Sequence, residues 1–151
     1  MRDLIRDTKT LDLSQFWSRF GSNEFRDRVK SLEDRISHVD ELENISFSWC
    51  NKVNDETFLH VLSCIAKPEK VKRLELYYCH RLTDKGLKEM ASILPNLEFL
   101  NLGRCMKITD KCIANLRVLK KLRYLSLKRC PNISEDALMT IEVRVLIPTR
   151  Y

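Results

Sequence analysis

Leu74 to Leu87 read LELYYCHRLTDKGL, and the same pattern returns from Leu100 as LNLGRCMKITDKCI and from Leu125 as LSLKRCPNISEDAL. A looser copy, ISFSWCNKVNDETF, starts at Ile45. Each copy has alternating apolar residues, a cysteine, an apolar anchor, a Thr-Asp-like pair and an apolar helix start. The cysteines at 50, 79, 105 and 130 follow one another at steps of 29, 26 and 25 residues. Self-similarity with a period in the twenties is the mark of a solenoid, in which each coil buries its apolar side against the next.

Within a copy, the residues read as strand, turn and helix. Leu74 and Leu76 point inward and Glu75 and Tyr77 outward, because side chains alternate along a strand. Cys79 turns inward as a small, near-apolar filler whose thiol donates weakly to carbonyls of the turn. Leu82 anchors the loop. Thr83 caps the following helix and Asp84 suits its positive end. Leu87, Met90, Ala91 and Leu94 form the buried face, and Pro95 ends the helix. The third copy uses Thr109 and Asp110, then Ile113, Leu116 and Leu119. The fourth uses Ser134 and Glu135, then Ala137 and Leu138. The first uses Asn54 and Asp55, then Phe58, Val61 and Leu62. The expected fold is an α/β leucine-rich-repeat solenoid built from strand–turn–helix coils.

The 151 residues suit one domain: a partial repeat and capping helix over 1–41, four repeats over 42–138, and a tail or cap over 139–151. Thr10-Leu11-Asp12-Leu13-Ser14 has the strand alternation, with Phe16 in the cysteine's place and Trp17 and Phe20 packing beneath it. From Ser22 to Ile36, Phe25, Val29, Leu32 and Ile36 recur at helical spacing, with Ser22 as the N-cap. After Leu138, IEVRVLIP resumes strand-like alternation early, either as a compact cap or as the mark of a truncated array.

Apolar residues make up 44% and charged residues 32%, the proportions of a folded globular chain. No apolar run is long enough to span a bilayer. The opening MRDLIRDTKTLDLS carries three acidic residues and no apolar h-region, so neither a secretory signal nor a transit peptide is expected. Four of the six cysteines share one repeat position, and Cys64 and Cys112 fall in helices. All six are expected to be reduced, in an intracellular compartment, cytoplasmic or nuclear, with mitochondrial an alternative. A net charge of +6 favours an acidic partner, yet the charges are interspersed along the helices as on a solvated surface.

Enzymatic chemistry is not expected. His38, His60 and His80 stand in unrelated contexts, and three glycines build no phosphate loop. Cys79-His80 raises the question of zinc. However, there is no CxxC pair, and a row of cysteines along a stack cannot converge tetrahedrally on one ion. No metal and no cofactor are expected.

CHRLTDKGLKEMASILPNLEFLNLGRCMKITDKCI resembles the cysteine-containing class of leucine-rich repeats in F-box/LRR proteins, and the resemblance runs from about Leu42 to Leu138. LDLSQFWSRFGSNEFRDRVKSL is similar to the segment that links F-box to repeats there. No F-box sequence is found ahead of LDLS. The resemblance implies an α/β right-handed leucine-rich-repeat solenoid (horseshoe), with parallel strands on the concave face and helices on the convex face, whose repeats hold a protein substrate for ubiquitin transfer. Similar short arrays without an F-box occur in assembly proteins of the mitochondrial coupling-factor-B type and in mitotic-exit antagonists.

Alternation predicts the binding face. Four outward columns cross the sheet: Asn44, Arg73, Phe99, Tyr124; Ser46, Glu75, Asn101, Ser126; Ser48, Tyr77, Gly103, Lys128; and, before the cysteines, Trp49, Tyr78, Arg104, Arg129. Aromatic residues and arginines are what protein-binding hot spots favour. The expected contacts are Trp49, Arg73, Glu75, Tyr77, Tyr78, Phe99, Asn101, Arg104, Tyr124, Lys128 and Arg129. Gly103 leaves a shallow place in the middle, and Arg104, Lys128 and Arg129 gather beside Tyr78. The expected role is a non-enzymatic recognition module that binds a partner protein, with an acidic segment favoured over nucleic acid and no membrane insertion. The alternative is a structural subunit or assembly factor of a larger complex.

Overall fold

The computed structural model describes residues 5–7, 9–14 and 31–141. The strands stack in chain order in one sheet: β1 (Ile5–Asp7), β2 (Thr10–Asp12), β3 (Asn44–Ser46), β4 (Arg73–Glu75), β5 (Phe99–Asn101) and β6 (Tyr124–Ser126). β1 runs antiparallel to β2, and every later neighbour is parallel and in register. Leu11, Ile45, Leu74, Leu100 and Leu125 therefore lie side by side, all buried. Residues 31–36 are helical (α1). α2 (Asp55–Ser63), α3 (Asp84–Ile93), α4 (Asp110–Leu116) and α5 (Glu135–Met139) each follow a strand of the array. This is a leucine-rich-repeat solenoid, because parallel neighbours one coil apart need a crossover, and here every crossover is a helix.

Thr10–Asp12 forms β2, parallel to and in register with β3, with Leu11 and Leu13 fully buried. Phe16, Trp17, Phe20, Ser22, Phe25, Val29 and the tail beyond Ile141 lie outside the described residues. Leu32 and Ile36 of α1 are buried as their spacing predicts. So are Phe58, Val61 and Leu62, then Leu87, Met90, Ala91 and Leu94, then Ile113, Leu116 and Leu119. Ala137 and Leu138 are only half-buried.

The cysteine row corrects one expectation. The nearest acceptor of each thiol lies not in its own turn but in the coil before it: Cys50 to Leu13 O (3.5 Å), Cys79 to Phe47 O (3.1 Å), Cys105 to Leu76 O (3.2 Å) and Cys130 to Leu102 O (3.0 Å), while Cys50 also reaches Ser48 O of its own turn at 3.9 Å. Phe47 O, Leu76 O and Leu102 O also accept the amide of their own coil's cysteine. A carbonyl has two lone pairs, and the thiol is small enough to reach the second across the gap between coils. All six cysteines are free.

A second bridge runs along the helix starts. Asn54, Thr83, Thr109 and Ser134 cap their helices as expected, each accepting a first-turn amide. The acidic residue after each of the first three caps does more than favour its own helix dipole. Asp55 accepts the amide (2.9 Å) and hydroxyl (2.5 Å) of Thr83. Asp84 does the same for Thr109, and Asp110 for Ser134. Gly86 makes room for this, since a Cβ there would stand 2.3 Å from Asp55 Oδ1.

Candidate functional site

The strands are three residues long, so the two outward columns nearest the cysteines lie in turns rather than in strands. In each coil the cysteine amide returns to the carbonyl three residues earlier: Cys50 to Phe47, Cys79 to Leu76, Cys105 to Leu102 and Cys130 to Leu127. The residue before each cysteine is left-handed: Trp49 at φ 68°, Tyr78 at 67°, Arg104 at 59° and Arg129 at 58°. A turn closed this way with positive φ at its third residue is of the type II kind, which ordinarily calls for glycine there. Trp49, Tyr78, Arg104 and Arg129 are therefore turn residues, not outward strand residues.

The geometry is enforced from both sides. The amides of Trp49, Tyr78 and Arg104 donate to Tyr77 O, Gly103 O and Lys128 O of the next coil at 2.7–2.8 Å. The cysteine that follows must meanwhile dive into the core. Only the left-handed residue satisfies both demands.

This row gathers an aromatic cluster. Trp49 lies 4.7 Å from Tyr78 and 5.3 Å from Tyr77, measured between ring centroids. Trp49 is 52% exposed even so, which leaves half of a large ring facing water. The His80 ring lies tilted against Tyr78 at 3.9 Å, and Arg104 approaches the same Tyr78 ring at 5.9 Å. His80 was not among the expected contacts. Its position after the inward cysteine gave no sign that its ring would come back over Tyr78.

Gly103 leaves no shallow place. It is buried because Tyr77 lies across it, and a Cβ there would meet Tyr77 Cδ2 at 2.8 Å. Arg104 lies against the Tyr78 ring, and its amide donates to Lys128 O of the next coil, which carries Lys128 and Arg129. Both are exposed and make no ion pair among the described residues. The Arg104 Nε is buried without a hydrogen-bond partner. Such an unmet donor costs about 1–3 kcal/mol, which a cation–π contact of roughly 0.5–1 kcal/mol offsets only in part.

The remaining expected contacts form a separate group along the strands. Phe99 and Tyr124 stack face to face at 4.1 Å, and the Arg73 guanidinium covers Phe99 at 3.5 Å. Arg73 also donates to Glu75 Oε1 (2.5 Å), and Asn101 donates to Glu75 Oε2 (2.8 Å) while accepting the Gly103 amide. These residues satisfy one another. Their charge and hydrogen bonds are already spent within the sheet, whereas the turn row keeps its own free. Among the described residues, no helix is long and apolar enough to cross a membrane.

No family model matches the chain. F-box/LRR-repeat protein 4 of Bos taurus is 33% identical over 97 aligned positions, covering 61% of this chain. The chain spans only 15% of that relative's length. A chain in the crystal structure of the yeast Rad7 and Elc1 complex superposes with a TM-score of 0.67 at 23% identity, over 81% of this chain and 30% of that one. At that identity the likeness speaks for the fold alone, and the fold agrees. With its inward thiols, parallel register and helical crossovers, the chain has a cysteine-containing leucine-rich-repeat fold and is similar to F-box/LRR proteins.

Proposed function

We propose that the chain is a non-enzymatic recognition module whose row of left-handed turns and adjoining strand face bind an acidic segment of a partner protein. One observation carries this reading: four bulky side chains occupy backbone that glycine would hold more cheaply. Each costs on the order of 1 kcal/mol relative to a relaxed residue. Packing inside the solenoid does not require them, since the turn has nearly the same φ whether it carries Trp49, Tyr78, Arg104 or Arg129. A large aromatic surface next to unpaired cations suits a partner with carboxylates and apolar side chains. An incoming carboxylate would also draw the Arg104 guanidinium away from Tyr78 and satisfy its Nε. The similarity to F-box/LRR-repeat protein 4 supports the finer reading that the partner is held as cargo for a larger assembly.

The test begins with a partner recovered by affinity purification and identified by mass spectrometry, followed by calorimetric titration of that partner. Tyr78→Ala and Arg104→Glu are each expected to weaken binding by about tenfold or more, the loss typical of hot-spot residues. Lys88→Glu, on the exposed side of α3, is the control and should bind as wild type. Wild-type affinity in both turn variants would refute the site.

A further inference from the structure

Five of the six cysteines are buried, and Cys64 is the exception. It takes no part in the row of thiols between coils. It forms the C-cap of α2, and its Sγ lies 3.2 Å from the carbonyl of His60, one helical turn earlier. Residues four apart share a helix face, so the His60 ring and the Cys64 thiol look the same way. The side chain facing them is Glu33 of α1, whose carboxylate oxygen Oε1 pairs with His60 Nε2. The three donor atoms, one nitrogen, one sulfur and one oxygen, all lie within 4.8 Å of one another.

We infer that Glu33, His60 and Cys64 form a zinc-class metal site that clamps α1 to the first repeat helix. The donor set fits Zn²⁺, which takes His nitrogen, Cys sulfur and carboxylate oxygen at about 2.0–2.3 Å in a tetrahedron, with water able to fill the fourth position. Soft thiolate and imidazole together disfavour Mg²⁺ and Ca²⁺, which select oxygen. The site also sits at the carboxyl end of α2, where the negative end of the helix dipole favours a cation. Binding replaces the Cys64 S–H bond by a metal–sulfur bond and releases the proton to solvent. His60 enters through Nε2 as neutral imidazole with its proton on Nδ1, and Glu33 enters as carboxylate. This site is distinct from Cys79-His80, whose thiol is committed to Phe47 O inside the core. The spacing His-x-x-x-Cys in a helix was visible in the sequence, but its third ligand lies 27 residues from His60.

The experiment is titration of the reduced, chelator-treated full chain with Co²⁺, followed by displacement with Zn²⁺. The expected result is one equivalent bound, with thiolate-to-cobalt charge-transfer absorbance, intense tetrahedral ligand-field bands and a rise in melting temperature. Cys64→Ala should remove the charge-transfer band. His60→Ala and Glu33→Gln should each lower cobalt affinity by at least about tenfold, since even outer-shell changes cost 10–100-fold. Cys112→Ala should keep the band, and far-UV circular dichroism establishes that each variant is folded. Absence of the thiolate band in wild type, or its persistence in Cys64→Ala, would overturn the proposal. Unchanged affinity in a folded His60→Ala would overturn it as well.

Discussion

Tyr78 and Cys79 are neighbours in the chain and stand on opposite sides of the wall it builds. The cysteine row is fully inside, and each thiol is spent on the previous coil's carbonyl. The row one residue earlier is outside, held in left-handed backbone with aromatic residues in the first two coils and arginines in the last two. Both rows come from one turn. Inside, the space between coils admits a small residue with a weak donor, and all four coils choose the same one. Outside, the backbone repeats while the side chains change, so the fold dictates the conformation and leaves the chemistry open. Substitutions within should therefore move stability, and substitutions without should move binding.

The largest expected effect tests the interior. Leu102 is fully buried, and its carbonyl receives both Cys105 N–H and the Cys130 thiol. Leu102→Ala should cost about 2–5 kcal/mol in urea unfolding, as buried leucines do. A loss below about 1 kcal/mol would mean that the core does not close around it.

A second test uses the thiols themselves. Burial pushes Cys79 from its ordinary 9.0 up to about 12, and Cys50, Cys105 and Cys112 are raised as well. The unfolded chain ionises these thiols first, so the folded state holds more protons at alkaline pH. Stability from this source is intact below the unfolded value of about 9 and is lost as pH rises from there through the folded values. Urea midpoints should fall over that window, and less steeply in Cys79→Ala. A flat profile, or prompt labelling of Cys79 by a thiol reagent in the native protein, would place the row outside.

The smallest effect tests the outer row. Arg129→Gly relieves a left-handed residue whose side chain is exposed, so stability should stay level or rise by up to about 1 kcal/mol. Partner binding should weaken at the same time. A variant that is less stable by more than about 1 kcal/mol would show that the arginine serves the fold rather than recognition.

Repetition made much of this legible in advance. Alternation placed Leu74 and Leu76 inside, helical spacing placed Leu87 and Met90, and Thr-Asp pairs placed the caps. Each of these follows from rules that act over a few residues, and four copies of one pattern leave little ambiguity about period or register. The candidate site was legible only in part. The eleven expected contacts divided into a self-satisfied group along the strands and a turn row with chemistry to spare. His80 joined the second group unannounced.

The linear order of residues was sufficient for the coil length, the inward thiols, the strand-to-helix rhythm and the identity of the capping residues, because local sterics and burial decide them. Contacts between coils decided the rest. Positive φ at Trp49, Tyr78, Arg104 and Arg129 runs against local preference and persists because ladder and core together require it. The Asp55–Thr83 bridge, the ring of Tyr77 over Gly103 and the approach of Glu33 to His60 join residues some 26 to 28 positions apart. Only the stacking of one coil on the next brings such pairs within reach.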